Sequence, residues 1–478
     1  MGGMGGGMSM PVGSVLPEIV LILGAVVVLL FALFVPRRFQ HWSALLAMVT
    51  VLIAAVASAV MLRGGQALTF FDTYAADDAA VWGKLIVLAV TAVTLLLSVE
   101  WFATDPRHGE YYVVLLLSAL GAVVLAGAAD LMGVLLGVLL SSATGYVLTA
   151  YHRTDARSGE AGMKYYLLGA LTNSAMVYGA VLLFGLAATT SFAGMLDALP
   201  GADATALVAG AALFVLGLAF KLGAVPAHAW VPDVADGGPA PVAAFVTVAP
   251  KVGALIALGR LVLVLPESGV GWRPLVAVLA AVTMTVGNLS ALWQEDVRRL
   301  LGWSAVSQSG YGLMAVVALG RSDLAVPALL FFLVAYAVAN LAAFGVVVEL
   351  RGRADRASYA GLIGAHPALA VVLLVSFLSL VGVPPLAGFT AKVALFGATV
   401  DAGYTWLAVV AVINTAVSLF YYLRIVAPSW FERASEPVPV LGQWAFVATV
   451  VCGVGVVALG IFAEPLLASF SESGILPG

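Results

Sequence analysis

The sequence predicts an all-α integral membrane protein of about 14 transmembrane helices, with two inverted five-helix repeats and discontinuous seventh and twelfth helices. Three observations carry this. Of 478 residues, 63% are hydrophobic and 10% charged, with a mean hydropathy of +1.09, whereas an ordinary soluble domain is about a quarter charged. About fourteen apolar stretches of roughly twenty residues account for most of the chain, each long enough to cross a ~30 Å hydrocarbon core as a helix. Two of those stretches are interrupted in mid-membrane by glycine and proline.

In chain order, the opening MGGMGGGMSM lacks a basic segment and reads as a flexible tail, not as a cleavable signal peptide. Spans are expected at about 17–35, 42–62, 79–102, 111–129, 131–151, 162–187, 204–225, 240–265, 273–293, 300–319, 325–349, 367–397, 404–427 and 442–463. The loops between them are short and the net charge is only −4. That leaves no room for a soluble catalytic domain, a nucleotide-binding domain or a nucleic-acid surface. The single cysteine, Cys452, excludes an intramolecular disulfide, a CxxC metal site and a cysteine-ligated iron–sulfur cluster.

Loops after odd-numbered spans hold Arg37, Arg38, Arg107, Arg153, Arg157, Arg298, Arg299, Arg351, Arg353, Arg356, Arg424 and Arg433, against Arg63, Arg273 and Arg321 on the other side. Basic residues in short loops stay cytoplasmic. Both termini are therefore expected on the periplasmic or exterior face of a bacterial cell membrane.

The seventh span runs into Gly223, Pro226 and Pro232, and the twelfth contains Gly382, Pro384 and Pro385. Proline removes a helical hydrogen bond and clashes with the preceding turn, so both helices should break there. Matching interruptions in two halves are the sequence sign of inverted-repeat transporters, with the ion path at the breaks. The expected organisation is an N-terminal three-helix segment over 1–110, repeats over 111–265 and 266–427, and a last span within 428–478.

Sixteen arginines fill mainly loops, whereas the five lysines all fall within or at the end of apolar spans. An ionisable group there costs several kcal/mol unless paired or hydrated. Lysine can exchange its proton whereas arginine stays charged, so lysine is the cation a proton path can use. Lys84 is expected to snorkel to the interface. Lys164, four residues after Glu160, reads as an i,i+4 pair or a proton entry. Lys221 just before the first break, Lys251 near the middle of the eighth span and Lys392, seven residues after the double proline, read as proton carriers. His228 lies in the loosened segment PAHAWVPD, and histidine titrates in the range a relay needs. Ser304, Ser307, Gln308 and Tyr311 would hold water between Lys251 and Lys392 if the helices are neighbours, or serve as interhelical contacts. Asp233 and Asp236 read as caps of the eighth span.

The stretch AFKLGAVPAHAWVPDVADGGPAPVAAFVTVAPKVGALIALGRLV resembles the hallmark segment of the antiporter-like subunits of respiratory complex I, most closely subunit N. GNLSALWQEDVRRLLGWSAVSQSGYGLMA, LSLVGVPPLAGFTAKVALF and AVINTAVSLFYYLRIV resemble later spans of the same family, so the similarity covers about residues 110–430. The resemblance implies a proton-translocating membrane-arm subunit of a proton-pumping NADH:quinone oxidoreductase. It implies that NADH, FMN, iron–sulfur clusters and quinone belong to partner subunits, with no cofactor on this chain. The implied partners are other membrane-arm subunits, the lipid bilayer and protons. Lys221, Lys251 and Lys392 match the family's lysines in the seventh, eighth and twelfth spans, and Lys164 matches one at the sixth. Multi-subunit cation/proton antiporters share the fold, and a non-pumping structural subunit is a further alternative.

Two positions depart from the family pattern. Where the fifth span usually carries a glutamate that pairs with the seventh-span lysine, LGVLLSSAT has Leu139, and the nearest acid, Asp130, lies about 13 Å away along a helix. Where histidine is frequent, Gln308 stands; glutamine orders water but does not titrate.

Overall fold

A computed structural model of the chain describes residues 12–267, 271–433 and 440–476; the glycine- and methionine-rich opening lies outside the described residues. Among these, twelve helices are long and apolar enough to cross a membrane, not fourteen. The shortfall has a physical reason. The expected tenth span is the helix Val297–Ala318, whose run of serine, glutamine, tyrosine and glycine residues lowers its hydropathy. The expected twelfth span is two helices, Pro367–Val381 and Ala387–Asp401, each of 15 residues and too short alone. The described residues are mostly helical, in keeping with the all-α class, with one short hairpin of two three-residue strands, Ala67–Thr69 and Tyr74–Ala76.

Aspartates start many of the helices. Asp77, Asp130, Asp155, Asp203 and Asp296 each accept a backbone amide of the following first turn at 2.7 to 2.9 Å, a cap worth about 1 kcal/mol. Two of these caps recur in matched surroundings. Asp130 opens Leu131–Thr149 and forms a backbone bridge to Ser191, while Asp296 opens Val297–Ala318 and forms one to Asp355. Gly121 lies so close to Ser141, and Gly287 to Ser307, that a Cβ on either glycine would meet the serine nitrogen at 2.5 Å. The chain interval is the same from Gly121 to Gly287, from Asp130 to Asp296 and from Ser141 to Ser307. Small residues permit such close helix approach, which substitutes for the hydrophobic driving force that lipid does not supply.

At the centre stand Ala240–Val264, Val297–Ala318 and Ala325–Glu349, buried on nearly every face. Leu16–Phe34, Trp42–Met61 and Gln443–Ile461 lie outside them and turn Leu33, Val56 and Val451 outward. Apolar side chains on an outer face are at no disadvantage against lipid.

Both glycine–proline segments interrupt the chain. Ala204–Leu222 ends at Gly223 in the left-handed region (φ +67°), and a helix resumes at Trp230–Gly237. Pro367–Val381 ends at Gly382 (φ +96°), before Ala387–Asp401. A third interruption was not foreseen: the eighth span is Ala240–Val246 and Ala249–Val264, joined by a turn at Thr247 and Val248. Its signal is Pro250, which has no N–H to offer the carbonyl of Val246.

Two buried ion pairs correct the reading of the basic residues. Lys84 does not snorkel. It is fully buried, 3.1 Å from Glu18, and Glu18 also accepts from the Tyr74 hydroxyl. Arg260 is an arginine inside a span. It is fully buried and donates to both oxygens of Asp77 at 2.5 and 2.8 Å and to the carbonyls of Leu476 and Ala126. These pairs tie the N-terminal helices and the C-terminal residues to the helix that carries Lys251.

Candidate functional site

Besides Lys84, three lysines are buried inside the helix bundle, each beside an interruption. Lys221 occupies the last turn of Ala204–Leu222, and its Nζ donates to Ser142 Oγ at 3.1 Å. Lys251, in the first turn after the Thr247–Val248 interruption, donates to the carbonyl of Ala305 and, at 2.8 Å, to Ser309 Oγ. Lys392 donates to the carbonyls of Leu380 and Val381 at 3.0 and 2.8 Å and reaches Thr415 Oγ1 at 3.4 Å. All of these partners are neutral. The last carbonyls of a helix have no partner within it and form the negative end of its dipole. An ammonium at the end of Pro367–Val381 therefore gains both hydrogen bonds and charge complementarity.

The helix Val297–Ala318 stands between Lys251 and Lys392. Its Ala305 and Ser309 meet Lys251, its Tyr311 ring lies 4.1 Å below the Lys392 ammonium, and its Gln308 Nε2 donates to the Leu380 carbonyl at 3.1 Å. Tyr336 faces Lys251 at 5.6 Å from ring centroid to nitrogen and lends its hydroxyl to the Thr247 carbonyl. The same Tyr336, with Gln308, Ser379 and Lys392, lines a gap of about 10 Å³, enough for roughly one water centre. The two lysines therefore address one polar helix from different sides.

The other expected site residues lie elsewhere. Lys164 is half-exposed at the end of the bundle, 2.7 Å from Glu160 and 3.4 Å from Asp233. Asp233 also pairs with Arg299 at 2.8 Å, so it joins a surface ion network and does not cap the eighth span. His228 tilts against Trp303 with centroids 5.5 Å apart, and no hydrogen bond or ion pair among the described residues joins it to a lysine. Ser304 meets Tyr422 at 2.5 Å, and Ser307 packs on Gly287. Within the cluster that the sequence singled out, Ser309 was overlooked, and it is the serine that touches Lys251. Ser142, Thr415 and Tyr336 were missed as well.

Leu139 is 40% exposed and lines an outward apolar groove with Leu135, Val181 and Phe184. One turn further along, Ser142 turns inward and supplies the contact to Lys221.

A polytopic helical bundle with three interrupted spans and a buried lysine at each interruption defines a membrane protein of antiporter type. The transmembrane family described as NADH:quinone oxidoreductase/Mrp antiporter matches residues 128–418, and the chain belongs to it. It is 41% identical to NADH-quinone oxidoreductase subunit N 1 of Streptomyces griseus over 96% of this chain and 98% of that one. It is 40% identical to NADH-quinone oxidoreductase subunit N of a Mycobacterium species over 94% and 96%. Among solved structures it resembles a chain of respiratory complex I from Thermus thermophilus (TM-score 0.83, 29% identity, 96% of this chain and 100% of that chain). It shares the fold of a chain of the Mrp complex from Dietzia (TM-score 0.85, 21% identity, 97% of both).

Proposed function

We propose that the chain is a proton-translocating membrane-arm subunit of a proton-pumping NADH:quinone oxidoreductase. Lys221, Lys251 and Lys392 would carry protons through a mid-membrane path, coupled to quinone reduction elsewhere in the complex. The single observation that best supports this reading is the placement of Lys251 and Lys392 against one polar helix, Val297–Ala318, each hydrogen-bonded to neutral partners only. A carboxylate partner would fix each proton in place. Carbonyls and hydroxyls solvate the ammonium without neutralising it, so a change of charge nearby can move the proton.

In this reading Lys221 receives or holds a proton, Lys251 passes it through hydrated groups, and Lys392 leads to the exit. Lys164 and its surface network form an entry, and His228 hydrates the first break. The recurring Asp130/Asp296 caps and Gly–Ser contacts support two inverted repeats over 111–265 and 266–427, between an N-terminal segment over 1–110 and a last span in 428–478. NADH, FMN, iron–sulfur clusters and quinone belong to partner subunits. The membrane is that of a bacterial cell, with both termini exterior, on the arginine asymmetry of the loops.

The outward face of Leu139 favours a second reading, a membrane-arm subunit that pumps nothing, because the family's acid is absent there. A cation/proton antiporter is the third. Purifying the complex that contains this chain and assaying NADH-dependent quinone reduction separates the oxidoreductase from the antiporter: activity is expected, and a complex that exchanges cations without oxidising NADH sinks the proposal.

A further inference from the structure

Ser309 is 2% exposed and stands between two groups of opposite hydrogen-bonding character. On one side Lys251 Nζ donates to its Oγ at 2.8 Å. On the other, the hydroxyl donates to the carbonyl of Leu222 at 2.5 Å, with the carbonyl of Ala305 also in reach at 3.0 Å. Leu222 follows Lys221 and is the last residue of its helix. Its carbonyl has no partner within that helix. Ser309 is therefore the hydroxyl through which Lys251 touches the end of the helix that bears Lys221.

We propose that Ser309 is a positioning residue for the proton path, a hydroxyl switch that transmits the protonation state of Lys251 to the broken end of the Lys221 helix. The inference rests on the proton-carrier reading above. An ammonium offers only donors. While Lys251 is charged, Ser309 accepts from it and must send its own hydrogen to a carbonyl, which holds the Leu222 end. When Lys251 gives up a proton, the N–H electron pair stays on nitrogen and the amine becomes an acceptor. The proton passes along the proposed path toward Lys392, which lines a gap on the other side of Tyr336. Ser309 then turns its hydroxyl toward Nζ, and the Leu222 carbonyl loses its donor next to the left-handed Gly223 hinge. The hydroxyl stays neutral throughout, and only its direction changes. At the second break no such intermediary is needed, because Lys392 reaches the Leu380 and Val381 carbonyls itself.

The test uses the intact complex in inverted membrane vesicles and reads proton uptake per NADH oxidised separately from the NADH oxidation rate. Ser309→Ala is expected to lower the proton yield by at least about twofold, and Ser309→Thr, which keeps a hydroxyl, to recover most of it. In a Lys251→Ala background, Ser309→Ala should add no further loss, because the switch has nothing left to sense. A wild-type yield in Ser309→Ala overturns the proposal, as does a loss in Ser309→Thr as deep as in Ser309→Ala. Additive losses in the double variant overturn it too. Should Ser309→Ala fail to assemble, Ser309→Cys is measured in its place; an intermediate yield is expected and a wild-type yield refutes the switch. If Lys251→Ala lowers the yield while Ser309→Ala does not, the switch alone fails. If Lys251→Ala keeps the full yield, the proton-carrier reading fails with it.

Discussion

Gln308 and Ser309 are neighbours in sequence, yet they donate to the last carbonyls of two different broken helices: Gln308 to Leu380 at 3.1 Å and Ser309 to Leu222 at 2.5 Å. One turn of Val297–Ala318 thus holds both interruptions. Gln308→Leu removes one of these donors and leaves Leu380 to Lys392 alone. The expected cost is about 1 kcal/mol of stability, read as faster thermal inactivation of the purified complex, while Gln308→His, which keeps a donor, should stay near wild type. Equal stability of Gln308→Leu and wild type would show that this contact does not hold the break.

The buried Arg260–Asp77 pair predicts an asymmetry between single and double replacement. Arg260→Met alone leaves a buried aspartate without its cation, at a cost of about 3–5 kcal/mol, whereas replacing both partners by apolar residues is close to neutral. Asp77 also caps its helix and accepts from the Leu476 amide, so the double variant keeps a deficit of about 1 kcal/mol from the lost cap. Assembly yield on native gels should fall sharply for Arg260→Met and return largely for Arg260→Met with Asp77→Leu. Equal losses in the two would mean that the pair is not the source of the stability.

Asp236 supplies a pH dependence. Its Oδ1 is buried without a hydrogen bond, and burial together with the Asp296 carboxylate raises its pKa above the usual carboxylate value, against the opposing pull of Arg298 and Arg157. A carboxyl raised by folding favours the folded state when protonated, and that contribution is lost as pH climbs through the raised value. Asp236→Asn should therefore outlast wild type in thermal inactivation by a wider margin at about pH 8 than at about pH 4. The same advantage at both values would contradict the assignment.

Leu139→Glu tests the departure from the family pattern. Because Leu139 faces outward into an apolar groove, a carboxylate there meets lipid or a neighbouring apolar surface, which costs a few kcal/mol for a charge in a span. The expected result is lower assembly yield with no gain in proton yield. A gain would mean that the glutamate turns inward past Ser142 to reach Lys221.

What could be read from sequence divides along physical lines. Lysines in apolar spans and glycine–proline segments are local signals, so Lys221, Lys251, Lys392 and both breaks were legible. Partners far apart in sequence were not: Glu18 for Lys84, Asp77 for Arg260 and Leu222 for Ser309 are joined only by helix packing. Ser304, Ser307 and Ser309 are alike as residues, and only the rotation of Val297–Ala318 decides that Ser309 faces Lys251 while Ser304 faces Tyr422. The tenth span was expected on its apolar residues, yet the side chains that meet Lys251 and Lys392 are the polar ones that lower its hydropathy.

The central claim is that Lys251 carries protons along this chain. Its most direct test is proton uptake per NADH oxidised in inverted membrane vesicles that contain the intact complex with Lys251→Ala. Proton yield, turnover or both should collapse while assembly persists. Full turnover with an unchanged proton yield would contradict the account and leave the chain a structural part of the membrane arm.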